Sequence, residues 1–261
     1  MGSSNGTFLG QRRLTADERL ALQPGARVAF GDPDDPFELV DAGPPAAWAV
    51  SAEGTVREAE GGVLELPSPD DPLYQIFEDA VGRWQVASEQ GTRLLTPEET
   101  LEAGDTTWTL LIPTPSQATL QRGDEKVKLR DVTVRLHELA GDRVEITILR
   151  RDEMIGDLGH RNHHELLLRL AEEWVADQSN SEVAEVDKGW VYVDELIERL
   201  GLHKDSQKPR NLVDQYVSRA RKAFIKAGVI DGGEVIQRRV TAAEGQIRFE
   251  VGAIELVRDE P

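Results

Sequence analysis

In the run NLVDQYVSRARKAFIK, Gln215, Arg219, Lys222 and Lys226 recur at intervals of four, three and four. On a helix such spacing gathers amide, guanidinium and ammonium groups on one face. Those are the groups that contact phosphates and base edges in the major groove. Val213, Val217, Ala220 and Phe224 recur at the same intervals and form an apolar stripe that would anchor the helix in a core. Lys208, Arg210 and Ser218 lie on or beside this helix, and Arg238 and Arg239 follow it, so all five join the candidate DNA contacts. The bland alternative for a run of charges is a solvated face. From His203 to Arg239, however, nine basic residues stand against four acidic ones, in a chain whose formal net charge is −18. A basic island in an acidic protein points to a local anionic target, because phosphate binding rests on clustered Lys and Arg.

Other residue sets offer less chemistry. His160, His163, His164 and Glu165 combine imidazole with carboxylate, which suits zinc. Yet the adjacent histidines point to different helix faces and lack the H-E-x-x-H spacing, so a polar cluster at a helix start is expected instead. RDEMIGD and SPDDP supply paired carboxylates of the kind that cap or solvate turns. No phosphate-cradling glycine loop is present. The expectation is therefore a protein that is not an enzyme and uses no metal or cofactor. Near the start, Ser4, Asn5, Gly6 and Thr7 form a polar loop whose Asn5-Gly6 pair is a strong turn signal. The apolar Phe8 and Leu9 follow at once, which reads as the second half of a hairpin whose first strand is missing.

The 261 residues suffice for about two compact domains. With 39% hydrophobic and 30% charged residues, the chain is too apolar for wholesale disorder, and its apolar runs are too short for a membrane span. It has no cysteine and no signal-peptide pattern, so a cytoplasmic protein away from membranes is expected. Residues 1–43 contain the strand-like ARVAF and FELV, and 44–115 hold short apolar runs (AWAV, VLEL, WTLLIP) between turn residues. Residues 116–131 are polar and read as a linker. In 132–261 a strand pair, VTVRLHEL and RVEITILR, precedes a change of period.

A first helix is expected in HRNHHELLLRLAEEWVADQ, with Leu167, Leu170, Ala171, Trp174 and Val175 on one face. A second carries Leu196, Ile197 and Leu200, with Asp194 as its cap and Gly201 as its stop. A third runs from about Pro209 to Ala227, stopped by Gly228. EVIQRRV and QIRFEV then form a terminal hairpin. Three helices and a hairpin are the element order of a winged helix-turn-helix.

The third helix resembles the recognition helix of the winged-helix effector domains of bacterial response regulators, with Val213, Asp214, Val217, Arg219, Arg221, Lys222 and Phe224 matching. The hairpin would then be the wing, with Arg238, Arg239 and Arg248 as phosphate contacts. No receiver domain precedes it, and a use of the same fold against protein remains open. GSSNGTFLGQRRL, LQPGARVAFGD and FELV resemble the C-terminal half of a forkhead-associated domain. Gly2, Ser3, Ser4, Asn5, Gly6, Thr7, Phe8, Leu22, Gly25, Val28, Phe30 and Gly31 match in order. The resemblance implies a β-sandwich that binds phosphothreonine peptides, with Ser4, Asn5, Gly6 and Thr7 at the peptide.

In that family an arginine and a Ser/His pair hold the phosphate, and neither has a counterpart here. Three explanations stay open: a start placed too far downstream, strands supplied by another chain, or a degenerate remnant. The expected fold class is multidomain: a partial forkhead-associated β-sandwich, a β-rich middle segment, and an α+β winged helix-turn-helix. The expected function is a non-enzymatic phospho-signalling regulator. Its candidate partners are a phosphothreonine-containing protein, once the domain is complete, and duplex DNA. The alternative is a protein–protein adaptor in Ser/Thr kinase signalling that does not bind DNA.

Overall fold

The computed structural model describes residues 6–15, 18, 20, 22–40, 46–96, 99–113, 126–140, 143–202, 208–241 and 245–258. The chain divides into two compact units, Met1–Pro45 and Ala46–Pro261. The described elements include five β-sheets and three α-helices.

The first unit is one antiparallel sheet of β1 (Thr7–Leu9), β2 (Arg12–Arg13), β3 (Arg27–Phe30) and β4 (Phe37–Glu38), in the order β2-β1-β3-β4. β1 is thus an interior strand: Phe8 faces Arg13 on one side and Ala29 on the other. The expected half-hairpin gives way to a strand paired on both edges. Phe30 and Phe37 are 70% and 66% exposed, with ring centres 6.1 Å apart. Among the described residues this unit is a single sheet rather than a two-layer sandwich.

The second unit begins with β5 (Trp48–Ser51), β6 (Val56–Glu58), β7 (Leu64–Ser68), β8 (Asp71–Glu78), β9 (Trp84–Ser88), β10 (Gly91–Leu94), β11 (Thr100–Ala103) and β12 (Thr106–Leu111). They form two antiparallel sheets, β10-β9-β8-β7 and β11-β12-β5-β6. Ala49, Leu66, Ile76, Trp84, Trp108 and Leu110, drawn from both sheets, share one buried cluster, so the sheets face each other as a sandwich. Because strand side chains alternate, Leu64, Leu66, Ile76 and Val86 point into this core, while Glu65, Gln75, Phe77 and Ala87 point out of it. That outer face is nonetheless buried.

The rest of the unit opens with β13 (Thr133–Leu139), β14 (Arg143–Arg150) and β15 (Glu153–His160). Three strands stand where a pair is expected. Arg151 and Asp152 both adopt left-handed backbone, φ 49° and 67°, the conformation of a tight hairpin turn, and Glu153 then starts a strand. Helix α1 (His164–Ser179) follows; His160 still belongs to β15, so the helix starts four residues later than the periodicity suggests. Leu166, Leu167, Leu168, Leu170 and Ala171 are buried, since the first turns are enclosed on several sides, whereas Val175 is exposed.

β16 (Val191–Tyr192) leads into α2 (Val193–Arg199), then α3 (Pro209–Lys226), β17 (Ile236–Val240), β18 (Gly245–Phe249) and β19 (Ala253–Arg258). Asp194 is not the cap of α2. It lies in the first turn, where a carboxylate suits the helix dipole, and it accepts a hydrogen bond from Arg210 at 2.7 Å. Gly201 past α2 and Gly228 past α3 have φ of +64° and +84°, as chain-reversing stops require.

The hairpin β17–β18 pairs with β16 in the order β16-β18-β17. The final strand β19, which the periodicity misses, runs parallel to β13 and closes the sheet β15-β14-β13-β19. A single core gathers Val134, Ile146, Leu167, Leu196, Phe224 and Phe249 from both sheets and all three helices. Among the described residues no helix is long and apolar enough to cross a membrane.

Candidate nucleic-acid interface and phosphopeptide loop

Helix α3 has two occupied faces. Val213, Val217, Ala220 and Phe224 are buried in the core shared with α1 and α2, as their spacing predicts. The polar face lies against the outer side of β7 and β8. Lys222 donates to Glu65 Oε2 at 2.6 Å, and that carboxylate side chain is only 5% exposed. Gln215 donates its amide to the Asp70 carbonyl at 2.7 Å. Lys208 reaches Asp71 at 3.0 Å, and Asn211 bonds the same carboxylate. Ser218 is buried, and its hydroxyl has no hydrogen-bond partner. Only Arg219 and Lys226 of the expected stripe are exposed, so the stripe straddles the rim of this contact.

Beneath the stripe lies Arg221, fully buried. Its guanidinium donates to Gln75 Oε1 and to the Ile236 carbonyl at 2.9 Å, and stacks 4.4 Å from the Phe77 ring centre. Gln75 in turn donates its amide to the Asp214 carbonyl at 2.8 Å. Burial first, and the neighbouring Arg238 second, pull Arg221 down to about 9. Close approach between α3 and the sandwich is made possible by small residues. A Cβ on Gly62 would meet Ile225 at 3.0 Å, and one on Gly233 would lie 2.3 Å from the Phe77 ring. Val63, Phe77, Ala87 and Ile225 form an apolar cluster here.

The hairpin arginines are also engaged. Arg238 pairs with Asp214, both nearly buried. Arg239 bonds Asp187 at 2.8 Å and Gln246 at 2.7 Å while stacking on Trp190, and Arg248 covers Trp190 at 4.8 Å. Arg210 pairs with Asp194. Arg210, Asp214, Arg238, Arg239 and Gln246 join Glu89 around an open cleft of about 240 Å³, where each of the three arginines has an acidic neighbour.

Of the N-terminal loop, Ser4 and Asn5 lie outside the described residues. Gly6 has φ +85°, as the turn signal requires, and Thr7 opens β1. Arg13 on β2 covers Gly6 so closely that a Cβ there would sit 2.5 Å from its Nε. Composition and spacing gave no reason to pair Arg13 with this loop; only the antiparallel register of β1 and β2 brings it there.

The histidine cluster is structural in its contacts. His164 is buried and donates Nδ1–H to the Val144 carbonyl at 3.2 Å, and its ring packs edge-on against His163 at 4.7 Å. Burial, with His164, Arg219 and Arg161 nearby, holds His163 down at about 4, and burial lowers His164 as well. Both rings are neutral at physiological pH. Among the described residues no three His, Cys, Asp or Glu groups converge as metal ligands. Comparison with protein-family models, with curated proteins and with solved structures finds no match to the chain.

Proposed function

We propose that the chain is a non-enzymatic adaptor in phospho-signalling, in which the basic helix α3 serves as an internal docking element and does not read DNA while so docked. The observation that carries this reading is the pairing of Lys222, Gln215 and Lys208 with Glu65, Asp70 and Asp71 of the same unit. A side chain already bonded to a carboxylate must lose that bond before it neutralises a phosphate. The order of α2, α3 and the β17–β18 hairpin supports the winged-helix part of the reading, with α3 here in contact with the chain's own sandwich. The phosphothreonine part of the reading rests on the N-terminal loop, and Arg13 adds a guanidinium beside it, the charge-assisted partner a phosphate dianion needs.

Fluorescence anisotropy of a labelled 30-base-pair duplex tests the docked-helix reading. The full chain is expected to give no saturable binding at physiological salt, and micromolar binding would refute it. Calorimetry with matched phosphothreonine and threonine peptides tests the loop. Any selectivity for the phosphorylated peptide is expected to vanish in Arg13→Ala.

A further inference from the structure

The contact between α3 and the β-sandwich differs in kind from the two cores that flank it. Each core is complete within its own half: one gathers residues between Ala47 and Leu110, the other between Leu129 and Val251. Between them, among the described residues, lie a small apolar patch, a set of ion pairs and hydrogen bonds, and the approach of β10 to β17. Arg221 is buried there with no carboxylate bonded to it and with its Nε lacking a partner. Such burial carries a desolvation penalty that is relieved when water enters. An interface of this composition is poised to separate without melting either half.

In the ion pairs between this helix and β7–β8 the carboxylates, Glu65 and Asp71, come from the sandwich and the cations from α3 and its N-cap, while Glu234 of the other half accepts from Gln85. Glu65 and Asp71 face Lys222 and Lys208, which are fourteen residues or about 21 Å apart along the helix, so the two carboxylates occupy well-separated sites at which phosphates would otherwise neutralise those ammonium groups. We infer that strands β7 and β8 act as an intramolecular competitor for duplex DNA, their carboxylates masking the basic face of α3, so that opening this interface uncovers a DNA-binding surface. Opening releases Gln215 and Lys222 and breaks the Lys208–Asp71 pair, beside the already exposed Arg219 and Lys226. Arg238, Arg239 and Arg210 keep partners on their own half. The inference rests on the docked arrangement described above but assigns a further, conditional activity to it.

The test uses the full chain carrying Glu65→Gln and Asp71→Asn, which remove the masking charges and leave α3 untouched. Affinity for the labelled duplex at low salt is expected to rise by about tenfold or more, as two restored phosphate contacts would give. Asp152→Asn with Glu153→Gln, on the exposed β14–β15 turn, changes net charge equally and is expected to change affinity little. A lock completes the experiment. A Cβ on Gly62 would lie 3.8 Å from the Ile225 Cβ, within the span of a disulfide, and the chain has no other cysteine.

Adding Gly62→Cys and Ile225→Cys to the neutralised chain should abolish the gain on oxidation and restore it on reduction. A neutralised chain that gains nothing, a gain that survives the disulfide, or a gain matched by the control pair would each overturn the inference. Wild-type binding to DNA regardless of the lock would instead refute the adaptor reading, so the two failures are distinguishable.

Discussion

The two faces of α3 make opposite kinds of contact. Inward, Val213, Val217, Ala220 and Phe224 interlock with apolar residues of both sheets and the other helices. Outward, Lys222, Gln215, Asn211 and Lys208 meet Glu65, Asp70 and Asp71 through single polar bonds. Burial of a Phe or Leu side chain stabilises by about 1.5–3 kcal/mol irrespective of salt. The exposed Lys208–Asp71 pair contributes a fraction of that and weakens as salt rises, whereas the Lys222–Glu65 pair, whose carboxylate is nearly buried, is screened less. One helix thus makes an apolar contact on one side and a polar one on the other, and the proposed conditional surface needs the second to exchange.

The largest effect is expected on the inward face. Phe224→Ala should cost about 3–5 kcal/mol in denaturant unfolding, because it leaves a cavity beneath Phe249. A loss under about 1 kcal/mol would mean that the core is not packed as described. Arg221→Ala is expected to cost about 2–4 kcal/mol, since it orphans Gln75 Oε1 and the Ile236 carbonyl. Arg221→Met, which fills the space without a charge to desolvate, should cost distinctly less. Equal losses for the two would break the distinction between charge and packing at this contact.

A third effect is read through pH. His163 has its proton affinity lowered in the fold, from 6.5 to about 4, so below pH 6.5 the unfolded chain takes up a proton that the folded chain refuses. Stability therefore falls as pH drops toward 4. Discounted for partial exposure, the loss between pH 7 and pH 5 is about 1–2 kcal/mol. Glu78 and Glu234 are raised by burial and act in the opposite sense, so the comparison must be made against His163→Gln, in which they are retained. The variant should show a flatter pH profile, and an identical slope would contradict the burial of this ring. Smallest of all, Arg219→Ala and Lys226→Ala at the exposed rim should each shift stability by less than about 0.5 kcal/mol.

The inward face of α3 was legible in the sequence because a period of about three and a half leaves little choice of which residues face a core. The β character of 46–113 was legible for a similar reason, from short apolar runs bounded by turn residues. The outward face was not. Glu65, Gln75 and Gln85 alternate with apolar neighbours as solvent-facing residues do, and period alone cannot distinguish water from the lysine of a distant helix. Hence Lys222 and Gln215 read as free, although their partners lie some 150 positions away in the chain. β19 was missed because its parallel pairing with β13 is non-local. Arg13 beside Gly6 depends on strand register, which the short β1–β2 turn sets only once the sheet is formed.

The central claim is that α3 is held by carboxylates of its own chain, and a double-mutant cycle on Lys222 and Glu65 tests it most directly. Lys222→Ala, Glu65→Ala and the double variant are compared by denaturant unfolding at low salt. A coupling of about 1–2 kcal/mol that shrinks at high salt is the expected result. Additivity within about 0.3 kcal/mol would show that the two side chains do not meet and would contradict the account.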